Sequence, residues 1–127
     1  MATHASATVT TFAKVNGLPP DVAQQIRPLF DEREWPVVAD EVREGRIELF
    51  RINDDSFALT RIETEINELV IVGYIGQRLT EFADAMIRLA KSNGIESIRF
   101  HSRRPGLARL IRKLSPQRLE TVYRVTL

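Results

Sequence analysis

Cysteine is absent from this 127-residue chain, which excludes disulfides, thiolate metal sites and a cysteine nucleophile together. Histidine is nearly absent: His4 and His101 stand alone, too few and too far apart for a zinc set, so no metal is expected. No apolar run approaches the length of a membrane span, and the opening "MATHASATVTTF" has neither the basic region nor the apolar block of a secretion signal. A cytoplasmic chain without membrane contact is the expectation.

A hydrophobic content of 43% in a chain of single-domain length is enough for one core. The net charge of +1 hides an asymmetry: residues 1–70 carry 13 acidic and 7 basic side chains, residues 71–127 carry 4 and 11. Arg99, Arg103, Arg104, Arg109, Arg112, Lys113 and Arg118 fall together with no acidic residue among them. Such a stretch can meet phosphates, an acidic protein surface or the acidic half of a second copy. No aromatic residue lies between Arg103 and Arg118, so base stacking is not indicated and nucleic acid is the weaker partner class.

Residues 1–18, rich in Ala, Thr and Ser, read as a loose arm or an edge strand, and residues 19–127 as a single domain. "LPPDVAQQIRPLFDEREWP" opens with Pro19 and Pro20 and places Val22, Ile26, Leu29 and Phe30 at helical spacing, with Pro28 expected to shorten or kink the helix. "WPVVADEVREG" predicts a second helix with Pro36 at its start and Gly45 as its stop, and Trp35 is expected to pack as a lid over the core. "RIELFRI", "SFALTRIE" and "ELVIVGYIG" then read as a strand meander divided by the turn signals "NDD" and "EIN". Leu79, Phe82, Ala83, Met86, Leu89 and Ala90 recur at helical spacing and "SNG" ends them. "IESIRFH" predicts a strand, "RPGLARLIRKL" a helix begun by Pro105, and "LETVYRVTL" a closing strand. The order implies an α/β (α+β) fold.

That order, and within it "RLTEFADAMIRLAKSNGIESIRFH" followed by "RPGLARLIRKL" and a closing strand, resembles the GNAT family of N-acetyltransferases from about residue 20 to the end. The segment "EGRIELFRI" and a shortened cofactor loop resemble the small, degenerate GNAT-like proteins encoded by bacteriophages. The resemblance implies a mixed, mostly antiparallel sheet flanked by helices. It also implies acetyl-CoA in the gap beside the main helix, with its pyrophosphate on amides at the helix start, where unpaired N–H groups and the helix dipole favour an anion. Carried over residue by residue, Gly76, Gln77 and Arg78 would offer amides and one cation, and Arg103 and Arg104 would stand at the mouth of the cleft.

The departures from the family pattern set the functional expectation. The family loop reads Arg or Gln, two residues, Gly, one residue, then Gly or Ala; here "YIGQRLT" keeps Gly76 alone. Ile111 stands where the family commonly has a tyrosine acid, leaving Tyr123 or Tyr74 to replace it. Glu63 and Glu65, or Glu68, are the carboxylates that could take a proton from an amine. The expectation is a GNAT-like scaffold with a degenerate acetyl-CoA site and no cofactor. It would act as a phage structural or interaction component in the host cytoplasm or virion, its partner a virion protein, a host protein or a second copy. The alternative is a divergent N-acetyltransferase using acetyl-CoA.

Overall fold

Prolines and one acidic pair set the first two helices. In the computed structural model, which describes residues 11–100, α1 runs over Pro20–Ile26 and buries Val22 and Ile26, four residues apart on one face. Pro28 lacks the N–H that an α-helix would need, and the chain tightens into a 3-10 turn at Arg27–Leu29. α2 spans Glu34–Arg43 and begins two residues before Pro36. The signal for that earlier start is Asp31 with Glu34. The Asp31 carboxylate accepts from the N–H groups of Arg33 at 2.9 Å and Glu34 at 2.7 Å, and the Glu34 carboxylate accepts from the Asp31 N–H at 3.1 Å. This is the reciprocal exchange of a capping box, with the Trp35 N–H donating to the Asp31 carbonyl at 3.0 Å as the first helical bond. Trp35 stacks on Phe30 with ring centroids 6.3 Å apart, and both pack against the core beneath.

The meander follows as β2 (Glu48–Ile52), β3 (Ser56–Glu63) and β4 (Glu68–Ile75). Asn53 and Asn67 take the left-handed conformation its two turns require, a role Asn tolerates better than most residues. β1, Phe12–Lys14, pairs with β2 as an edge strand, so this part of the N-terminal segment joins the sheet. After β4 comes α3 (Leu79–Ser92), then β5 (Ser97–Phe100), parallel to β4. The sheet order is β1-β2-β3-β4-β5, antiparallel except for its last pair.

Both sheet faces are covered, as the apolar groups on both sides of "RIELFRI" require. Ile47, Leu49, Phe57 and Leu59 bury against Val22, Ile26, Val38 and Val42. On the other face Ile52, Ala58, Leu69 and Ile71 meet Phe82, Met86 and Ala90 of α3. Between Gly73, opposite Leu59, and Ile71, opposite Thr60, Val72 has no partner on β3 and forms a bulge that bends β4 before its end. No described helix is long and apolar enough to cross a membrane. The helix expected from Pro105, the closing strand and residues 1–10 lie outside the described residues.

Candidate functional site

The turn between β4 and α3 is where the family resemblance implies a cofactor cradle, and its geometry follows from the register of the meander. Phe57 pairs with Ile75, which brings Ser56, at the start of β3, beside Gly76. Gly76 has φ 130°, and a Cβ there would fall 2.1 Å from the Ser56 hydroxyl oxygen and 2.7 Å from its Cα. The glycine is needed because Ser56 comes this close.

The Gln77 amide and carbonyl and the Arg78 guanidinium are paired with the protein itself. The Gln77 N–H donates to the Ser56 hydroxyl at 2.9 Å, and that hydroxyl donates to the Asp55 carboxylate at 2.9 Å. The Tyr74 hydroxyl donates to the Gln77 carbonyl. Arg78 holds φ 60° and ψ 43°, left-handed values uncommon for a residue with a Cβ, while its guanidinium donates to the other Asp55 oxygen at 3.0 Å. α3 starts immediately after, with the Phe82 N–H on the Arg78 carbonyl at 2.9 Å. The Ser56 hydroxyl and the Arg78 charge together hold the Asp55 carboxyl below its ordinary value, the hydroxyl contributing most. Burial pushes the Tyr74 phenol up, and its ring lies 4.6 Å from that of Phe82. A phenol so placed stays protonated at neutral pH and remains committed to the Gln77 carbonyl.

At the other end of the sheet stands a second polar cluster. Glu63 and Glu68 face each other across β3 and β4, an unfavourable pairing of like charges, and Arg99 of β5 reaches both, at 2.7 Å and 2.9 Å. Arg61 donates to Glu63 at 3.1 Å, and the Ser97 hydroxyl donates to Glu68 at 3.1 Å. The hydrogen bonds from Arg61 and then Arg99 depress the Glu63 carboxyl, which makes it a weak proton acceptor. Glu65 is exposed in the β3–β4 turn, beside a shallow depression of about 330 Å³ lined by residues 62–66.

Gly76, Gln77 and Arg78 are thus brought together with Tyr74, while Glu63, Glu65 and Glu68 are not. The eight residues of β4 separate the two ends by roughly 23 Å at about 3.3 Å per residue, beyond any shared proton transfer. Arg103, Arg104, Ile111 and Tyr123 lie outside the described residues. Among the described residues no group of three or more acidic or histidine side chains is placed to hold a metal. Asp55 and Ser56 went unnoticed in the sequence. The signal that could have revealed them is the meander itself, since a tight β3–β4 hairpin places the start of β3 against the end of β4.

Comparison with solved structures bears on the fold. One match is the crystal structure of a probable acetyltransferase, with a TM-score of 0.53 at 9% identity, covering 93% of this chain and 97% of that one. Another is the ribosomal-protein-alanine N-acetyltransferase of Brucella melitensis biovar Abortus 2308, with a TM-score of 0.52 at 12% identity, covering 92% and 99%. The chain has a GNAT-like fold. No protein-family model matches the sequence, and no curated protein matches it significantly. At these identities the likeness is one of fold.

The cofactor implied by a GNAT-like fold is acetyl-CoA, whose diphosphate needs amide donors and a cation at such a turn. Here the Gln77 amide is bonded to Ser56, the Arg78 guanidinium to Asp55, and the space beside Gly76 is filled by Ser56. In this closed form the Gln77 amide and the Arg78 guanidinium are engaged within the protein rather than offered to a diphosphate.

Proposed function

We propose that this GNAT-like chain works through contact with another protein rather than by acetyl transfer. One observation carries the reading: the turn that would cradle a diphosphate spends its Gln77 amide and Arg78 guanidinium on Ser56 and Asp55. Binding energy at a cofactor's phosphates positions the reacting acyl group, so a turn whose amide and guanidinium are already engaged weakens binding and chemistry together. The resemblance to small phage-encoded proteins makes a virion or host protein the partner to seek, in the host cytoplasm or the virion; self-association is another form of the same role.

Calorimetric titration of the purified protein with acetyl-CoA and desulfo-CoA, at low and moderate salt, tests this reading. The expected result is no saturable heat and no change in melting temperature at millimolar ligand. The second reading, a divergent N-acetyltransferase, is favoured by the acetyltransferase names of both structural neighbours. Saturable micromolar binding that weakens in Arg78→Ala would mean that the cradle survives and would turn the search to an acceptor amine, in favour of the second reading.

A further inference from the structure

α3 does not cover the whole of its side of the sheet. Phe12 pairs with Ile52 and Lys14 with Phe50, so Phe12, Lys14, Phe50 and Glu48 share the face that Ile52 turns toward α3. Ile62 pairs with Leu69 and looks the same way. The Phe82 ring stands 6.4 Å from that of Phe12, and Ala85 and Leu89 follow Phe82 at three- and four-residue spacing, so this flank of α3 runs above β1 and β2. The Asn67 side-chain amide donates to the Gly94 carbonyl at 2.6 Å, which sets the end of α3, with Leu89, beside the β3–β4 turn and Ile62. Phe12, Leu89 and Ile62 are 39%, 53% and 53% exposed, so three of the five large apolar side chains that meet water among the described residues line one strip between α3 and the β1 edge. Ile66 follows in the turn beyond Ile62, and Val37, on α2, lies across the sheet.

We infer that this strip is where two copies of the chain meet, about a two-fold axis that sets Lys14 of each copy against Glu48 of the other. Charge names the occupant. Lys14 and Glu48 lie diagonally across β1 and β2, opposite in sign, and neither forms an ion pair among the described residues. A strip lined by one sign would call for a partner of the other sign. One that carries both signs unpaired is complementary to itself, because a two-fold contact places each residue on its counterpart twice. A net charge of +1 does not drive the copies apart. The inference rests on the proposed function and gives its self-association form a surface. Both cores close within one copy and the strip spans one helix flank and three strands, so the association is of micromolar strength and the dilute chain is a folded monomer.

The test follows the sedimentation of the full chain from about 2 to 200 μM as wild type, Leu89→Glu, Lys14→Glu, Glu48→Lys, the Lys14→Glu/Glu48→Lys double variant and Val37→Glu. Val37 is 57% exposed on the opposite side of the sheet, so its variant controls for a new charge on an exposed apolar site. The wild type should pass from monomer to dimer across this range. Leu89→Glu should weaken the dimer about tenfold or more, and each single charge reversal about three- to tenfold, since one substitution is felt twice at a two-fold contact. The double reversal should restore wild-type association, and Val37→Glu should leave it unchanged. A chain that stays monomeric at the top of the range overturns the inference. So does a dimer that Val37→Glu weakens and Leu89→Glu does not, or a double reversal that restores nothing. Titration with acetyl-CoA judges the proposed function separately: saturable binding by a dimeric chain sinks that reading and leaves the interface standing, whereas a monomer that binds no acetyl-CoA sinks the interface and leaves the reading to another protein partner.

Discussion

The two ends of the sheet solve the same problem with different consequences. Each pairs arginine with carboxylates brought from separate strands or turns, one through Arg99, Glu63 and Glu68, the other through Arg78 and Asp55. At the hairpin end the pairing is partly buried, with the Glu68 side chain only 9% exposed, and it ties three neighbouring strands. At the turn end the Arg78 and Asp55 side chains are 35% and 43% exposed and join two loops. An arginine–carboxylate contact that includes the buried Glu68 carboxylate is therefore expected to hold the scaffold more strongly than one whose partners both meet water.

The sharpest way to break this contrast is at Gly76, where the turn end leaves no room. Gly76→Ala should cost about 2–4 kcal/mol, because its Cβ would collide with Ser56 at a backbone conformation that L residues avoid. Gly45→Ala is the control for strain alone. Its φ is 81° with nothing within 4 Å, and it should cost only about 1–2 kcal/mol, measured as the fall in urea midpoint.

Removing the arginine from each end comes next. Arg99→Ala strands the buried Glu68 carboxylate and should cost about 2–3 kcal/mol by thermal unfolding. Arg78→Ala should lower the melting temperature by clearly less. Equal losses would erase the distinction between the two ends.

Acid gives a smaller and directional effect. The Glu63 and Asp55 carboxyls are held below their ordinary values of 4.5 and 3.8, so their contribution is full above those values and is lost as pH falls through them toward the depressed ones. Stability should be flat between about pH 6 and 8 and should decline once pH drops below about 4.5. Arg61→Ala should flatten the Glu63 part of that decline, and Asp55→Asn the Asp55 part. The smallest effect belongs to the exposed apolar residues of the β3–β4 hairpin: Ile62→Ser and Ile66→Ser should each stay within about 0.5 kcal/mol, since both side chains already meet water.

Much of this fold was legible because its signals are local. "NDD" and "EIN" announced the turns at Asn53 and Asn67, and the spacing of Phe82, Met86 and Ala90 announced α3. β1 was less legible, since three exposed residues carry neither period nor burial. The start of α2 was displaced by reading Pro36 as its boundary, when the reciprocal Asp31–Glu34 bonds set it. The closure of the turn was hidden for another reason: Asp55 and Arg78 are 23 residues apart, and only the register of the meander brings them together. Gly76 illustrates the limit, for a lone glycine at a strand end is required equally by an approaching phosphate and by an approaching serine.

The exchange rate of the Gln77 amide tests the central claim most directly, compared by NMR in the wild type and in Ser56→Ala, with and without acetyl-CoA. The account predicts a protected amide in the wild type, unmoved by millimolar acetyl-CoA, and loss of that protection in Ser56→Ala. A Gln77 amide that exchanges freely in the wild type and shifts on adding acetyl-CoA would contradict it, because the turn would then be open and serving the ligand.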